Sequence, residues 1–391
     1  MSYEFPTIRT IDDVLPHIKG CEEFIVAERD GFTVVNYMVS GPDTFPPLKV
    51  SGGSKRMREE RMLGNRIRRE CRGLIFYPDG RIMSRPFHKF FNIGEREETQ
   101  LHSIDWTRPH QIIEKMDGSM IRPLDVNGTL RLGTKMGVTN VSEQAEEIMT
   151  DGQRGWMDIM MKQHVTPLFE FVSPENRIVV EYDKAELVLL AMGNNITGEY
   201  LDVEPMRNNE FFRVVDTYGA VDGDFAEFLE EQRGLEGREG FIISFAGDMY
   251  KGKNDWYVLI HKTKDQIRFD RNIVDLILNE GLDDVLPMLS EIDADRVRDF
   301  EGHFWNKIWN KENHVKSLHA KAVKFGDRKA IATQFMSTVS NKGDAALVYR
   351  MLDGNDCRES LLVHIKKNIS SNVKWNECAE WMEMDNDVKD I

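Results

Sequence analysis

The stretch Glu114-Lys115-Met116-Asp117-Gly118-Ser119 decides how this sequence folds, because it places a lysine between an apolar run and a turn. Ile112-Ile113 precede it and predict a buried strand. The Asp-Gly pair predicts a tight turn, in which glycine lets the backbone approach a ligand closely. By itself a Lys-x-Asp-Gly string arises by chance in roughly one chain in ten of this length. Alone, it fits an exposed lysine beside an ordinary turn equally well.

A lysine at the end of a buried strand is also a candidate nucleophile. Its amine can form a covalent intermediate, but only when the nitrogen has lost its proton. Neighbouring cations and partial burial favour that loss. The functional interpretation of Lys115 therefore requires other basic residues to converge on it in the folded chain.

Short apolar runs separated by turn signals fill the first two thirds of the chain. Turns at Asp30-Gly31, Pro78-Asp79-Gly80, Asn127-Gly128 and near Gly247 predict antiparallel ribbons, because these residues adopt the positive φ that tight hairpins need. The runs LFEFVSP (168–174), RIVVEY (177–182) and AELVLLAM (185–192) predict buried strands.

Helix signals alternate with these strands. Thr10 with Asp13 forms a capping pattern, and Ser142 precedes a predicted pair of helices that breaks at Asp151-Gly152. This mixture predicts an α+β domain of antiparallel sheets flanked by helices over residues 1–265. After residue 265 strand signals fade, and apolar residues recur at helical spacing at Val297, Phe300, Phe304 and Ile308 and again at Ile331, Phe335 and Val339. Residues 266–391 therefore predict a separate, mainly helical domain.

Composition excludes some classes of protein. A net charge of −15 over 391 residues argues against a protein that coats nucleic acid indiscriminately. The stretch Lys55–Arg72 is locally basic, with eight Lys or Arg against three Glu; it is either a solvated helix face or a guide for RNA.

The polar N-terminus and the absence of a long apolar run predict a cytoplasmic protein with no membrane contact. The spacing of Cys21, Cys71, Cys357 and Cys378 predicts neither a metal site nor a disulfide framework.

Three further motifs follow Lys115 in a fixed order. Phe169-Glu170-Phe171-Val172-Ser173-Pro174 comes first, then Glu239-Gly240-Phe241, then Lys251-Gly252-Lys253. With Lys-x-Asp-Gly, this order resembles the covalent nucleotidyltransferase superfamily, which comprises ligases and mRNA-capping enzymes. Four matches in sequence make chance unlikely as their source.

Longer strings resemble one family in particular, that of the T-even phage tRNA-repair RNA ligase (RNA ligase 1). They are Arg69–Gly73 with Ser84–Asn92, Phe169–Tyr182 and Lys251–His261, and the resemblance extends over roughly residues 20–265. It implies a nucleotidyltransferase domain over 1–265, with 1–100 as a family-specific part. It also implies an ATP-dependent RNA ligase that joins 5′-phosphate and 3′-hydroxyl ends through lysyl-AMP and RNA-adenylate, in RNA or tRNA repair. A phage protein of this kind would act in the host cytoplasm, and no obligate protein partner is evident.

The resemblance also assigns roles to single residues. Lys115 takes AMP from ATP; Lys251 and Lys253, on one face of a strand, contact the α-phosphate; and Arg72 and Lys89 contact the triphosphate. Glu170 binds the ribose hydroxyls, and Glu239 holds or positions Mg²⁺, or Mn²⁺ in its place. The remaining nucleotide contacts are Tyr37, Asp117 and Gly118, and the candidates for later steps are Ser119, Thr134, Lys135 and Tyr257. Without the resemblance, most of these charges would be interpreted as solvated surface.

Alternatives stay open at this point. A DNA ligase or a capping guanylyltransferase shares the lysine chemistry, but those enzymes usually carry a β-rich OB domain after the late lysine pair. Here the downstream region is predicted to be helical, as the RNA ligase resemblance implies. An inactive nucleotide-binding or RNA-binding module is the remaining alternative, although such a module has little need of an intact Lys115, Glu239, Lys251 and Lys253. By the resemblance to the phage RNA ligase, the 266–391 domain is a candidate for recognition of structured RNA.

Overall fold

The computed structural model describes residues 3–384 except positions 39, 42, 176, 222, 246 and 280 and the side chain at 284. It forms two compact units, Met1–Val258 and Leu259–Ile391. The first unit is α+β and the described part of the second is helical, so the predicted fold class is confirmed. None of the described helices is long and apolar enough to cross a membrane.

The strands all lie in the first unit among the described residues. In chain order they are β1 (Phe24–Arg29), β2 (Phe32–Tyr37), β3 (Arg72–Phe76), β4 (Ile82–Ser84), β5 (Phe91–Asn92), β6 (Gln111–Lys115), β7 (Ser119–Val126), β8 (Thr129–Gly133), β9 (Val165–Val172), β10 (Glu186–Asn194), β11 (Tyr200–Leu201), β12 (Arg213–Val214), β13 (Gly240–Phe245) and β14 (Asp248–Lys253).

The helices follow the same chain order. They are α1 (Leu15–Ile18), α2 (Lys55–Glu70), α3 (Asn140–Glu147), α4 (Asp151–Lys162), α5 (Phe225–Arg233), α6 (Asp255–Ile267), α7 (Asp270–Leu278), α8 (Leu282–Val285), α9 (Glu291–Val323), α10 (Arg328–Ala330), α11 (Lys342–Leu352), α12 (Cys357–Asn368) and α13 (Asn372–Trp381). A π-helix, Ile331–Phe335, continues α10.

Three sheets organise the first unit. The first has the order β1-β2-β3-β4, the second β11-β10-β9-β7-β8 with β12 beside β10, and the third β5-β14-β13-β6. The predicted hairpins are confirmed at Asp30-Gly31, Asn127-Gly128 and Gly247, and Pro78–Gly80 joins antiparallel β3 and β4. Gly31 and Gly128 adopt φ values of 82° and 81°, which explains why these positions carry glycine.

Some predicted elements differ from the structure. Residues 177–182 form bends instead of a strand, because the N–H groups of Val179 and Val180 donate to the carboxylate of Asp117 instead of to a neighbouring strand. The ribbon after Lys251 stops at Lys253, and Tyr257 lies in α6. Thr139 caps α3, while Ser142 occupies the third helical position of its capping box.

Packing between the layers defines the core of the first unit. The first sheet packs on one side against α1 and α2, through residues such as Ile18 and Ile67. Its other side meets Leu124 of β7 in the second sheet. Helices α3 and α4 cover the far side of the second sheet with Ala145 and Met157. The third sheet packs one face on α5 and leaves the other face free to form a site.

The second unit has its own hydrophobic core. Val297, Phe304 and Ile308 of α9 are fully buried in it, as their spacing predicts. Ile331 and Phe335 also join this core, within the π-helix. Val339 packs against the same core from outside any described helix, so the predicted helical run ends earlier than expected.

Candidate active site

One row of residues crosses the third sheet and brings the central motifs together. Gly240 of β13 pairs with Lys115 of β6 on one side and with Lys253 of β14 on the other. Glu239 immediately precedes this glycine and bridges the two lysines. Its carboxylate lies 2.5 Å from Lys115 Nζ and 3.3 Å from Lys253 Nζ. Motifs separated by more than 100 positions in the sequence therefore meet in one ion-paired cluster.

Gly240 is required at the centre of this row. Its φ is 150°, and a Cβ built there would lie 2.1 Å from the carbonyl oxygen of Gly252. The backbones of β13 and β14 therefore approach too closely for any side chain at this position. In the Glu-Gly pair, Gly240 allows the close approach of the strands and Glu239 pairs with the two lysines.

The next row of the same sheet continues the site. Ile242 pairs with Ile113 and with Lys251, two residues along each strand from the first row. Since alternate residues share a face, Lys251 and Lys253 point to the same side, as predicted. Ile112 and Ile243 point to the opposite side and pack against α5. The free face of the third sheet is the face that carries the lysines.

A cavity of about 380 Å³ lies over this face. Its floor includes Lys115, Ile242 and Lys251, and its opposite wall includes Met120 and Glu170 of the second sheet. Aromatic residues at the rim are Phe87, Phe90 and Tyr200. The volume is in the range of small-molecule sites, and the lining combines apolar walls with a few charged groups.

Cations cluster beside this cavity around one tyrosine. The ammonium groups of Lys89 and Lys135 lie 5.3 and 5.4 Å from the ring centre of Tyr37, within the distance of a cation–π contact. Burial raises the pKa of the Tyr37 hydroxyl, but Lys89, Arg72 and Lys135 together bring that pKa below its ordinary value. Arg72 also lines the cavity, and its Nη1 is buried with no hydrogen-bond partner among the described residues. This orphaned donor and the surrounding cations fit a polyanion.

Lys251 belongs to the same electropositive region. Its ammonium lies 4.7 Å from the ring centre of Phe90. Burial lowers the pKa of Lys251 to about 7, and the neighbouring Arg72, Lys89 and Lys115 add to the effect. An incoming negative charge would raise the pKa of Lys251 again and so favour its protonated, charged form.

Glu170 faces Lys115 from the second sheet. Its Oε1 accepts a hydrogen bond of 3.1 Å from the N–H of Gly118. Burial raises the pKa of Glu170 to about 7; Glu239 and Asp117 also raise it, whereas Lys115 opposes the shift. A buried carboxyl group with this environment can donate or accept a hydrogen bond near neutral pH, which suits contact with hydroxyl groups.

Asp117 is fully engaged by the protein. Its Oδ2 accepts 2.7 Å hydrogen bonds from the N–H groups of both Val179 and Val180, and its Oδ1 accepts one of 2.8 Å from the Tyr257 hydroxyl. Its own N–H donates to the hydroxyl of Tyr182. The aspartate thus ties the Lys115 turn to the 177–182 segment and to α6. The predicted direct contact of Asp117 with a nucleotide stays a prediction.

The close approach of the turn after Lys115 to β9 explains why position 118 carries glycine. A Cβ at this position would lie 2.3 Å from the carbonyl oxygen of Phe171. Only glycine lets the turn after Lys115 pass this closely to β9, and it is this approach that brings Glu170 within reach of the Gly118 N–H.

The residues predicted for later steps are dispersed. Ser119 begins β7 opposite Phe171, beside the cavity. The hydroxyl of Thr134 donates to the carbonyl of Gly137 within a turn, while the exposed Lys135 extends to Tyr37. The ring of Tyr257 lies 5.0 Å from Lys253 Nζ. Their proposed roles stay predictions.

Most arginines of the basic stretch support the structure of the protein. The α2 residues Arg58 and Arg61 donate to backbone carbonyls of residues 51–53, and Arg68 donates to the carbonyl of His17. Arg66 pairs with Glu4 at 2.6 Å, and Arg69 pairs with Glu98. These contacts favour a structural role over an RNA guide for most of this helix.

The carboxylates near Lys115 determine how a divalent cation could bind. Among the described residues, no group of three or more His, Cys, Asp or Glu side chains is arranged to hold a metal ion. Glu239 and Glu170 are acids beside Lys115 that lie close enough for the charge of Glu239 to raise the pKa of Glu170. Mg²⁺ usually keeps several waters and takes few protein ligands alongside phosphate oxygens. The residues present fit that mode of binding.

Sequence reasoning missed several residues of the site. Tyr182 and the 177–182 bends were interpreted as a strand because their apolar pattern imitates one. Phe87 and Phe90 lie inside the Ser84–Asn92 string, in which the resemblance assigns a role to Lys89, and their aromatic side chains are the available signal. Arg122, a buried residue of β7, gave no signal that distinguishes it from a surface arginine.

Comparison with known proteins identifies the family of this chain. A family model described as RNA ligase matches residues 70–257. A Thermovibrio ammonificans protein named "Putative RNA ligase" is 30% identical over 291 residues, which cover 71% of this chain and 70% of that protein. RNA ligase 1 of bacteriophage TS2126 is 27% identical over 331 residues, or 76% of this chain and 79% of the phage protein. An archaeal ATP-dependent RNA ligase structure aligns with a TM-score of 0.45 at 13% identity, covering 88% and 99% of the two chains. The chain belongs to the RNA ligase family and is an RNA ligase.

Proposed function

We propose that Lys115 is the nucleophile of this ligase and that the cavity beside it binds ATP. Lys115 Nζ would form a bond to the α-phosphorus of ATP while the bond to the pyrophosphate oxygen breaks, leaving lysyl-AMP. One observation carries this proposal: Lys115 and Lys253 flank Gly240 in one row, and Glu239 pairs with both of them at the floor of the cavity.

The charges around the cavity support an orientation for ATP. The cationic end, with Arg72, Lys89 and Lys251, would receive the triphosphate, because phosphoryl transfer depends mainly on positioned positive charge. Tyr37 lies within that cluster and would contact the outer phosphates. Glu170, on the opposite wall, would accept or donate hydrogen bonds to the ribose hydroxyls.

A divalent cation would reduce the negative charge of the triphosphate and of the leaving group. Glu239 is the carboxylate proposed to hold hydrated Mg²⁺, or Mn²⁺ in its place, with Glu170 nearby. Glu239 also pairs with Lys115 and Lys253. This pairing holds both side-chain amines next to the reaction centre and along one row.

The later steps would use the same site. An oxygen of an RNA 5′-phosphate attacks the phosphorus of lysyl-AMP, Lys115 leaves, and a 5′-5′ pyrophosphate forms. An RNA 3′-hydroxyl then attacks the 5′-phosphate, and AMP leaves as the strand is sealed. Ser119, Thr134, Lys135 and Tyr257 are the residues proposed to act in these steps.

Incubation with α-labelled ATP and Mg²⁺ tests the first step. The protein should retain a covalent AMP label after denaturation, and Lys115→Ala should abolish that label. Lys184→Ala is the matched control, since this lysine is 74% exposed and pairs only with Glu186 among described residues. A label that survives Lys115→Ala would exclude the proposed nucleophile. A preference for GTP would favour capping chemistry.

Substrate and location form the finer part of the proposal. We infer RNA with 5′-phosphate and 3′-hydroxyl ends as the substrate, a broken tRNA as one candidate, and the cytoplasm as the place of action. Residues 266–391 are the candidate for recognition of structured RNA. Joining assays with single-stranded RNA, nicked anticodon loops and 5′-phosphorylated DNA separate these substrates. Equal joining of DNA and RNA would exclude the proposed preference for RNA.

A further inference from the structure

Arg122 is a buried arginine directly beneath the cavity wall. It lies on β7 between Met120, which lines the cavity, and Leu124, which packs into the core between the first and second sheets. These three residues share one face of the strand. The side chain of Arg122 is 0% exposed, and it is among the largest fully buried side chains of the protein.

No acid compensates this guanidinium within the described part of the chain. Its Nη2 donates to the carbonyl of Gly73, whereas its Nε and Nη1 are buried and find no hydrogen-bond partner in the part of the chain that the structure describes. Burial lowers the pKa of Arg122 to about 9, and the nearby charge that adds to this effect is another cation, Arg72. The guanidinium therefore stays charged at neutral pH and carries its charge unpaired.

An unpaired buried charge lowers stability, since its lost hydration is not replaced. An apolar residue at position 122 would fill the same space between the sheets without that cost. The charge is therefore expected to have a use that offsets the loss, and an anion in the adjoining cavity would supply the missing counter-charge.

The bonded carbonyl links Arg122 to the triphosphate end of the site. Gly73 has φ 99°, and a Cβ there would lie 2.5 Å from the carbonyl oxygen of Lys135. Its carbonyl thus marks a junction where the start of β3 meets the turn after β8. Arg72 precedes this glycine, and both Arg72 and Lys135 act on Tyr37. Arg122 braces the backbone that carries two of the clustered cations.

We propose that Arg122 is a positioning residue for the ATP triphosphate. Its side chain fixes the Gly73 carbonyl between Arg72 and Lys135, and it adds a buried positive charge that only bound ATP neutralises. This inference rests on the proposed ATP site at the same cavity. It has a consequence that a purely structural arginine would not have: removal of the charge weakens ATP binding without weakening the free protein.

Three substitutions separate charge from hydrogen bonding. Arg122→Met removes both, and Arg122→Gln keeps a donor for Gly73 but no charge. Arg122→Lys keeps the charge when all variants are assayed at about pH 6, because burial removes the proton of a lysine more readily than that of an arginine. The KM for ATP in lysyl-AMP formation should rise roughly tenfold in Arg122→Met and Arg122→Gln, the size expected for one charge in a partly screened interior. The rate at saturating ATP should change less than about threefold, and Arg122→Lys should retain a KM within about threefold of wild type.

Thermal unfolding supplies the second readout. Free Arg122→Met should melt at or above the wild-type temperature, and its rise in melting temperature on adding ATP should be smaller. Arg131→Met is the matched control: this arginine lies on the paired strand β8 and is compensated by Glu143 and Glu146. The control should leave the KM for ATP unchanged.

Definite results would overturn the inference. An unchanged KM in Arg122→Gln, or a KM that rises equally in Arg122→Lys, would show that the charge has no role in binding ATP. If Arg122→Met does not fold, Arg122→Gln and Arg122→Lys decide the question. The wild type and Lys115→Ala are labelled in parallel: a wild type without a covalent label would refute the proposed nucleophile instead, and the ATP-dependent melting shift would still test Arg122.

Discussion

Lys251→Arg should remove a pH dependence from nucleotide binding. The pKa of Lys251 is lowered to about 7 by burial and by Arg72, Lys89 and Lys115. Bound triphosphate should require this side chain in its charged form. As the pH rises through 7, the free protein loses the charge and must take up a proton to bind. A guanidinium at this position stays charged throughout, so the same uptake should be absent.

The magnitude follows from the titration of one group. With a pKa of about 7, the dissociation constant should increase by a factor of about 1.1 at pH 6, about 2 at pH 7 and about 11 at pH 8, relative to its acidic limit. Binding to the wild type should therefore weaken about tenfold between pH 6 and pH 8. At pH 8 it should take up about 0.9 proton more than binding to Lys251→Arg.

Calorimetry with an ATP analogue that has an uncleavable α,β bridge measures both quantities, in buffers of different ionisation enthalpy. Titration of the analogue itself cancels when the variant is compared with wild type. Glu170 also has a pKa of about 7, so Glu170→Gln is measured to separate its contribution. Lys184→Arg is the surface control. Equal proton uptake by the wild type and Lys251→Arg would refute the role assigned to Lys251.

Two further predictions concern the turn after Lys115. Asp117→Asn should lower the free energy of unfolding by about 2–4 kcal/mol, because an amide cannot accept from Val179, Val180 and Tyr257 together. Tyr257→Phe should lower it by only about 1 kcal/mol. Urea denaturation checks both values, and an unchanged unfolding midpoint of Asp117→Asn would contradict the structural role of Asp117. Gly118→Ala should abolish lysyl-AMP formation, because its Cβ would meet the carbonyl of Phe171 at 2.3 Å. Gly155→Ala is the control, since a Cβ there meets nothing within 4 Å and alanine favours the helix by about 1 kcal/mol; full labelling of Gly118→Ala would contradict the steric argument.

Local chemistry was enough to predict the ribbons. Asp30-Gly31 and Asn127-Gly128 need positive φ at glycine, and Asn127 itself adopts φ 53°. Such a requirement acts within a few residues, so the sequence displays it directly. Alternation also predicted that Lys251 and Lys253 share a face, because strand geometry alone determines that relation.

Tertiary contacts overrode local pattern elsewhere. Residues 177–182 have the apolar pattern of a strand, yet two of their N–H groups bind the carboxylate of Asp117, some 60 positions earlier in the chain. Propensity cannot anticipate a partner so distant in sequence. Arg122 has the same character: its burial depends on how the second sheet meets the first, and nothing in MIRPLDV separates it from an exposed arginine.

The geometry also explains why the Lys-x-Asp-Gly string says so little alone. Both oxygens of Asp117 are occupied by protein donors, so this acid is committed to holding the turn. Among the described residues, the carboxylate within hydrogen-bond distance of Lys115 Nζ is that of Glu239, which directly precedes β13. The string therefore supplies the position of the Lys115 amine. The charges around that amine come from three distant segments, those that carry Glu170, Glu239 and Lys251–Lys253. A chain with the string but without the Glu239 and Lys251–Lys253 segments would have the turn and lack the charges that the reaction needs.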